Sequence, residues 1–437
     1  MKKPPRDISF EAIIDDLSHD GRGIAHVDGK AVFVADALPG ERVRARLVRK
    51  HRHFDEARAE EILEASPDRV APRCRHFGVC GGCVLQHLAP PAQIAAKQNV
   101  LAQNFARIGH VVPARWLAPL TADVWGYRRR ARLSVKHVPK KGKTLVGFRE
   151  RDPRFVADLV HCDVLDPALG EKLDALGTLL NGLEGAAAIP QIEFSSGDAA
   201  RVLVFRHLQP LSDADRTKLA AFGREHGFAI LLQPGGADSV HALQAGEVDL
   251  HYTLPAYDLR LAFTPLDFVQ VNAEINQKMI EHALGLLQPG PEDRVLDLFC
   301  GLGNFSLPLA RQAGHVCGVE GDTGLVERAR ANAEANGIGN AEFHVGDLAG
   351  DVRGSAWARA SWDLLLLDPP RSGAEALLTQ LPGKSVRRVV YVSCHPASLA
   401  RDAGVLLRTH GFKLAAAGVM DMFPHTAHVE SIALFER

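Results

Sequence analysis

The stretch DRVLDLFCGLGNFSLPLARQ, residues 293–312, decides the fold class. An apolar run reaches Asp297, a loop with Gly301 and Gly303 follows, and a helical pattern then begins. A strand, a glycine loop and a helix in this order are typical of a nucleotide-type ligand site at the carboxyl end of a strand. A dinucleotide fingerprint needs a third glycine, but Ser306 stands at that position. The loop therefore favours S-adenosylmethionine, which has no pyrophosphate to seat on the helix N-terminus.

The chain after residue 290 alternates apolar strands with helical patterns. Further strand segments occur in HVCGVEGDTGLVERARANAEANG, AEFHVGDL, WDLLLLDPPRSG, RVVYVSCHP and HVESIALFER. This alternation predicts an α/β fold with a doubly wound sheet and ligands at the carboxyl ends of its strands. Glu320 ends the strand after the glycine loop and could accept both hydroxyls of a ribose. Asp347 ends the next strand, where it could accept from an adenine amino group or serve only as a turn residue.

DPPRSG, residues 368–373, and SCHP, residues 393–396, each follow a predicted strand. The acid and two prolines would hold rigid backbone at the sheet edge, where a planar base could lie and donate to Asp368. Carbon 5 of uracil is too weak a nucleophile to take a methyl group unaided. A thiolate from Cys394 adding to carbon 6 would activate it, and Glu430 could then remove the carbon 5 proton. The competing interpretations are a buried, inert cysteine and a surface carboxylate on an edge strand.

Three cysteines lie close together in CRHFGVCGGC, and a fourth candidate follows in HCDV. Cys74, Cys80 and Cys83 have C-x5-C-x2-C spacing, and Cys162 lies far along the chain. Such a set could bind tetrahedral zinc or an iron–sulfur cluster, and the departure from paired C-x2-C motifs favours iron and sulfur. Cys300 and Cys317 fall within strand patterns and are expected to be plain core or loop residues.

The charge distribution and the N-terminal pattern indicate a nucleic-acid partner. Residues 1–162 hold 29 Lys+Arg and 18 Asp+Glu, a balance of +11, and the remainder holds 22 and 34, a balance of −12. Short strands and tight turns over residues 8–66 predict a small antiparallel barrel of the OB type, which often binds nucleic acid. VRARLVRKHRH, residues 43–53, would suit phosphates together with Arg42. Residues 93–109 have helical spacing.

No stretch approaches the length of a membrane span, and the N-terminus lacks a signal peptide pattern, so we expect a cytoplasmic protein. The cysteine usage agrees with a reducing compartment.

Taken together, these motifs resemble the RNA uracil-C5 methyltransferases, specifically their iron–sulfur branch. The resemblance covers nearly the whole chain and is carried by DGRGIAH, FVADALPGE, SPDRVAP, the CGGC cluster, FVQVN, DLFCGLGNFSLPLA, LDPPRSG, VYVSCHPASLARD and HVESIAL. It implies Cys394 as nucleophile and Glu430 as base. The methyl donor would be contacted through Gln270, Phe299, Asn304, Glu320, Asp347 and Asp368. Asp368 could also face the uracil. The four cluster ligands would be Cys74, Cys80, Cys83 and Cys162, holding a 4Fe-4S cluster.

The resemblance also implies a domain plan and a substrate. We expect an OB-like TRAM domain over residues 1–66, a mixed α+β central domain with the cluster over residues 67–262, and a class I (Rossmann-like) methyltransferase domain over residues 263–437. Residues 93–124 are expected to pack with the catalytic domain. The expected reaction is methylation of carbon 5 of a specific uridine in 23S rRNA by a monomer, with neither DNA nor a membrane as partner.

Three other functions are consistent with parts of the pattern. A tRNA enzyme would share the chemistry, but the compact tRNA branch resembles only the catalytic part. A non-catalytic RNA-binding iron–sulfur protein would not need Cys394. A radical donor-cleaving enzyme would use three close cysteines in a barrel, which the fourth cysteine and the doubly wound pattern oppose.

Overall fold

The computed structural model describes residues 8–380 and 385–437. Spatial contacts divide the chain into two compact units. The first unit comprises residues up to Val100, with Phe148–Ala157 and Phe423–His428. The second comprises Leu101–Gly147, Asp158–Met422 and Val429–Arg437. Both units are therefore assembled from segments distant in sequence.

The first unit contains the predicted barrel, a six-stranded sheet in the order β1-β5-β6-β4-β3-β2. Its strands are β1 (Ser9–Ile13), β2 (Asp16–Leu17), β3 (Gly23–Val27), β4 (Lys30–Ala35), β5 (Arg42–Lys50) and β6 (Phe54–Glu64). Asp28 and Gly29, both with positive φ, form the tight turn between β3 and β4. Alternate residues point inward, so Val34, Val43 and Ala45 are fully buried in the barrel core.

A helix follows the cysteine loop. Helix α1 (Pro90–Asn104) begins with two prolines, whose fixed φ suits a first turn, and a wide turn over Phe105–Gly109 continues it. The predicted helix at 93–109 is thus present, and it begins three residues earlier. Gly109 touches the last long helix of the chain so closely that a Cβ would lie 2.5 Å from the Ala400 carbonyl oxygen. A short strand, β7 (Arg115–Trp116), comes next.

The middle of the second unit is a six-stranded sheet in the order β13-β12-β11-β10-β8-β9. Its strands are β8 (Arg130–Val138), β9 (Lys143–Gly147), β10 (Gln191–Ser196), β11 (Arg201–Arg206), β12 (Ala229–Gln233) and β13 (His241–Ala242). Its helices are α2 (Pro167–Gly170), α3 (Leu173–Asn181) and α4 (Asp213–His226). Helix α4 is the crossover between β11 and β12, the one parallel pair in this sheet. A separate hairpin pairs β14 (His251–Leu254) with β15 (Leu259–Ala262).

The remainder of the second unit forms an eight-stranded sheet in the order β18-β17-β16-β19-β20-β22-β21-β7. Its later strands are β16 (Arg294–Leu298), β17 (His315–Glu320), β18 (Ala341–Val345), β19 (Leu364–Leu367), β20 (Arg388–Ser393), β21 (Lys413–Met420) and β22 (Glu430–Glu436). The helices are α5 (Ala273–Leu287), α6 (Ser306–Ala310), α7 (Thr323–Ala335), α8 (Ala356–Arg359), α9 (Glu375–Leu378) and α10 (Pro396–His410).

The strand order confirms the predicted doubly wound sheet. The strand order reverses direction at β16, and the five strands β16 to β20 run parallel to one another. Strand β22 is antiparallel to both of its neighbours, β20 and β21. All four residues of β19 are buried, as expected for a strand covered on both faces. The short strand β7 pairs with β21, so residues from the N-terminal half complete this sheet. Among the described residues, no helix combines the length and apolarity needed to cross a bilayer.

Candidate active site

The carboxyl edge of the eight-stranded sheet carries six of the predicted site residues in a row. Taken in the order of the strands, they are Asp347 after β18, Glu320 at the end of β17, Phe299 after β16, Asp368 after β19, Cys394 after β20 and Glu430 at the start of β22. Neighbouring strands lie about 4.8 Å apart. The residues predicted to contact the donor therefore lie on one side of Asp368, and the nucleophile and base lie on the other.

Hydrogen bonds fix the glycine loop against Glu320. The Gly301 amide donates to Glu320 Oε2 at 3.1 Å, and the Gly321 amide donates to Oε1 at 2.7 Å. Phe299 has φ +67°, a left-handed conformation that a non-glycine residue rarely adopts. The Phe299 and Cys300 amides both donate to the Val319 carbonyl oxygen, which holds this turn in place. These hydrogen bonds therefore fix the shape of the loop.

Asn304 belongs to a polar group that sequence reasoning did not find. Asn304 Oδ1 accepts from Tyr252 Oη at 2.8 Å and from Asn276 Nδ2 at 3.0 Å, and its own amide donates to Asn276 Oδ1 at 2.9 Å. Asn276 lies one helical turn after Asn272, the N-cap of α5 and the last residue of FVQVN. The spacing of these two asparagines was the only available signal. Tyr252 lies on a hairpin with no recognisable motif.

Gln270 and Asp347 are placed by backbone contacts. The Gln270 carbonyl oxygen accepts from Arg129 Nε at 2.9 Å, so a buried arginine anchors the FVQVN segment. Asp347 is exposed, and its Oδ1 accepts from the Ala349 amide at 3.0 Å. Asp347 therefore does serve its own turn, as the alternative interpretation predicted, and its position in the row at the sheet edge is also as predicted.

Two carboxyl groups near the middle of the edge have raised pKa values. Burial, together with nearby Asp368 and Glu320, raises the pKa of Asp297 to about 7. Ser306, which replaces the third glycine of a dinucleotide loop, donates to Asp297 Oδ2 at 2.5 Å. Burial and the neighbouring Glu320 raise the pKa of Asp368 to about 7 as well. The protein thus concentrates acidic groups where a positively charged ligand would be stabilised.

Strand register brings Cys394 and Glu430 together. Strands β20 and β22 are antiparallel with Ser393 opposite Ser431, so Cys394 and Glu430 are the next pair in the same register. Cross-strand side chains in such positions lie roughly 5 Å apart. Glu430 is 7% exposed and Cys394 is partly exposed. Neither inert burial nor a surface role, the two competing interpretations, describes this arrangement.

The Cys394 thiol is neutral in the resting protein. Burial, reinforced by the negative charges of Glu430 and Asp368, raises its pKa to about 11, while Arg371 opposes the shift. The thiol therefore becomes a nucleophile only when proton loss accompanies its reaction, because the thiolate is the reactive form. These interactions also connect the site: Asp368 influences both the donor half and the thiol.

The three clustered cysteines lie in one tight loop of the first unit. The Cys80 amide donates to the His76 carbonyl oxygen at 2.9 Å, and the Phe77 amide donates to the Cys74 carbonyl oxygen at 3.1 Å. The Gly82 amide donates to Cys80 Sγ at 3.4 Å. Cys83 is partly exposed in the same loop. Burial raises the pKa of Cys80 and Cys74 adds to the rise, while the Gly82 amide opposes it. Three cysteines held in one short loop fit a thiolate-bound metal group.

Cys162 and the remaining cysteines lie in the second unit. Cys162 is 8% exposed. Cys300 and Cys317 are buried strand or loop residues, as predicted. Cys317 lies near Glu342 and His344 with their ligand atoms within 4.8 Å of one another. Glu342 is also ion-paired with His315 at 3.3 Å, and burial raises the pKa of Cys317 to about 12. We interpret these residues as an ion-pair cluster on the two outermost strands at this side of the sheet, β17 and β18.

The arginines of β5 differ from the sequence expectation. Arg42 pairs with Glu64 at 2.7 Å, Arg46 pairs with Glu60 at 2.8 Å, and Arg44 pairs with Glu61. Acidic residues of β6 thus neutralise part of the positive surface predicted to face phosphates. Exposed ion pairs of this kind are worth roughly 0–1 kcal/mol, so a polyanion can displace them at low cost.

Comparisons with known proteins agree with this architecture. A family model described as tRNA (Uracil-5-)-methyltransferase matches residues 93–437, and a TRAM domain model matches residues 9–59. The 23S rRNA (uracil(1939)-C(5))-methyltransferase RlmD of Xanthomonas oryzae is 62% identical over 431 residues, covering 98% of this chain and 97% of that protein. The protein of the same name from Stenotrophomonas maltophilia is 61% identical over the same shares.

A solved structure confirms the fold. The crystal structure of Pyrococcus abyssi tRNA (uracil-54, C5)-methyltransferase in complex with S-adenosyl-L-homocysteine superimposes with a TM-score of 0.72. The match covers 98% of this chain and all of that chain at 22% identity. The predicted combination of a TRAM barrel with a methyltransferase sheet is therefore correct.

Proposed function

The chain belongs to the RNA uracil-C5 methyltransferase family, and from that membership we propose that it methylates carbon 5 of a uridine in 23S rRNA, using S-adenosylmethionine. Its relatives at 61–62% identity are named for uracil 1939 of that RNA. The observation that carries the proposal is the proximity of Cys394 to Glu430 and Asp368 at one sheet edge, where both carboxyl groups raise the pKa of the thiol. A carboxylate, a thiol and a base in this order match the needs of carbon 5 methylation.

The reaction forms and later breaks a bond between the Cys394 sulfur and carbon 6 of the uracil. It also removes two protons, one from the thiol and one from carbon 5. The Cys394 thiol gives its proton to solvent at its partly exposed side as its sulfur bonds to carbon 6 of the uracil, and the electron pair of the carbon 5–carbon 6 double bond forms an enolate. Carbon 5 then takes the methyl group from the donor sulfonium, which leaves as the neutral sulfide. Glu430 removes the carbon 5 proton, the double bond re-forms, and the carbon 6–sulfur bond breaks to release the methylated base and the Cys394 thiolate, which takes the proton back from Glu430. The 7% exposure of Glu430 keeps bulk water from competing with this transfer.

The donor half of the edge supplies binding and orientation. We assign Gln270, Phe299, Asn304, Glu320, Asp347 and Asp368 to the donor site. Glu320 is held by two loop amides, which supports a fixed position for ribose hydroxyls. Asn304 is held by Asn276 and Tyr252, so these two residues would orient it. Asp368 lies between the donor half and Cys394, which suits contact with the donor, the uracil or both.

The substrate assignment is tested by methyl transfer to RNA fragments. With labelled donor, the protein is expected to methylate an unmodified 23S rRNA fragment containing the uracil-1939 region. Transfer RNA transcripts are expected to accept at least about 10²-fold less, because base contacts outside the target nucleotide decide the substrate. Preference for tRNA, or no transfer to either RNA, would contradict the proposal.

Donor affinity is expected to fall below pH 7. The sulfonium is positively charged and favours ionised Asp368, whose pKa in the free protein is raised to about 7. Binding must therefore displace a proton at lower pH, and affinity should weaken by up to about tenfold per pH unit. Calorimetric titration with S-adenosylmethionine from about pH 5.5 to 8.5 measures this slope.

Two variants test which group causes the pH dependence of donor affinity. Asp368→Asn should make the affinity nearly independent of pH, leaving only the smaller contribution of Asp297. Asp363→Asn, at the opposite end of β19, should keep the wild-type slope, because the Asp363 side chain accepts from the Arg294 amide there at 2.9 Å. A profile that stays steep in Asp368→Asn would show that another group controls donor binding.

The metal group we propose is a 4Fe-4S cluster held by Cys74, Cys80, Cys83 and Cys162. The amide directed at Cys80 sulfur and the tight loop around the first three cysteines support it. The cluster would shape the RNA-binding region, since Cys394 and Glu430 supply the chemistry. Cys80→Ser and Cys162→Ser are each expected to lower anaerobic iron content from roughly four per chain to below about one. Cys317→Ser should retain full iron, and equal iron in all three variants would contradict the ligand set.

A further inference from the structure

One buried acid outside the predicted site contacts both the strand that ends at Cys394 and the loop that follows Asp368. Asp402 lies on α10 and is 0% exposed. Its Oδ2 accepts from Tyr391 Oη at 2.6 Å and from the Ala374 amide at 2.6 Å. Its Oδ1 accepts from Arg401 Nε at 2.8 Å. Three hydrogen-bonding neighbours around one buried carboxylate are more than its own helix needs for stability, since none of these contacts is helical backbone.

The first arm, the hydrogen bond between Asp402 and Tyr391, holds the strand that ends at the nucleophile. Tyr391 lies on β20, three residues before Cys394, and its ring is completely buried. Because β20 is buried from Val389 to Ser393, fixing Tyr391 fixes the point at which the strand places the thiol. The short hydrogen bond lies in a buried environment, where such bonds are stronger than in water.

The second arm, the hydrogen bond between Asp402 and the Ala374 amide, holds the loop that begins at Asp368. Three side chains of α10 bind consecutive backbone groups of that loop: Ser398 Oγ donates to the Arg371 carbonyl oxygen at 2.9 Å, Arg401 Nη2 donates to the Ser372 carbonyl oxygen at 2.8 Å, and Asp402 accepts from the Ala374 amide. Gly373 sits between them with φ +76°, and a Cβ there would lie 2.6 Å from Asp402 Oδ2. These contacts hold residues 371–374 of the loop against one face of α10.

We infer that Asp402 is a positioning residue that sets the distance between Cys394 and the Asp368 loop. It joins the two by one carboxylate, so a shift of either would break a buried hydrogen bond. Since proximity of reacting groups controls the rate of a bimolecular step, loosening this link should slow attack on carbon 6 more than it weakens binding. The inference rests on the proposed function, because it assigns Asp402 to the attack step of that reaction.

The test compares Asp402→Asn with a matched variant. Asparagine keeps one oxygen for Tyr391 and Ala374 but removes the negative charge that strengthens both hydrogen bonds. It also presents an amide to Arg401, which releases the contact between Arg401 and Ser372. Asp293→Asn is the control, since Asp293 makes two 2.7 Å contacts with Arg387 at the opposite end of the same sheet. The readouts are the rate of covalent adduct formation with a 5-fluorouridine RNA, binding of RNA and S-adenosylhomocysteine, and the unfolding temperature.

The expected result separates positioning from stability. Asp402→Asn should slow adduct formation about 10²-fold while both dissociation constants stay within about threefold, and Asp293→Asn should leave the adduct rate within about twofold. An unchanged adduct rate, or a loss that only follows the folded fraction, would overturn the inference. If Asp402→Asn does not fold, Arg401→Gln releases the same contact with Ser372 and should slow the adduct about tenfold at wild-type binding; a wild-type rate in it overturns the inference. Failure of the wild-type protein to form any adduct would instead refute the proposed function.

Discussion

Replacing Cys394 by alanine is expected to abolish methyl transfer, lowering turnover by at least about 10⁴-fold, because no other group can activate carbon 5. The variant should also fail to form a covalent complex with 5-fluorouridine RNA in the presence of the donor. Fluorine at carbon 5 cannot be removed as a proton, so the wild-type protein stays attached to this RNA after the methyl group is transferred. A denaturing gel separates the complex from free protein.

The control for this variant is Cys317→Ala. Cys317 is 0% exposed and lies on β17 of the same sheet. Its loss removes a thiol without touching the row of site residues, so both turnover and adduct formation should match the wild-type protein. Methyl transfer that persists in Cys394→Ala would refute the nucleophile assignment, and with it the covalent mechanism.

Replacing Glu430 by glutamine should give the opposite behaviour on the gel. Attack on carbon 6 and methyl transfer need no base at carbon 5, but release of the methylated base does. We therefore expect turnover to fall by about 10²–10⁴-fold while a covalent, methyl-labelled complex accumulates with ordinary uridine RNA. Wild-type protein resolves this complex quickly and should show little of it.

Glu436→Gln is the matched control for the base. Glu436 ends the same strand, β22, and pairs with Arg388 at 2.8 Å, far from the thiol. This variant should turn over normally and accumulate no labelled complex. If Glu430→Gln behaved like Cys394→Ala, with neither turnover nor adduct, Glu430 would act at the attack step and the assigned base would be wrong.

The sequence predicted the catalytic fold well because its signals are local. An apolar strand, a glycine loop and a helix are adjacent in residues 293–312, so periodicity and loop chemistry are enough to recognise them. The same holds for DPPRSG and SCHP, where one acid and one cysteine end buried strands. Asp368 and Cys394 were predicted from their own neighbours, and parallel strands then had to bring them to one edge.

Long-range pairing explains what sequence reasoning missed. The sequence predicts Glu430 as the base, but its position beside Cys394 depends on the register of the antiparallel strands β20 and β22, which no local pattern in HVESIAL reveals. Tyr252 and Asn276 reach Asn304 from distant segments, and each looks like an ordinary core or helix residue by itself. The arginines of β5 show the reverse error, since their charge is local but their glutamate partners on β6 are not.

The raised pKa of Cys394 has a consequence for survival of the protein under oxidative stress. With a pKa of about 11, the thiol keeps its proton at pH 7 and the reactive thiolate is scarce. Peroxides and other electrophiles react with the thiolate, so the protonated sulfur is slow to take the first step of oxidation to sulfenic acid. Glu430 and Asp368, which help to raise this pKa, therefore also protect the nucleophile between turnovers.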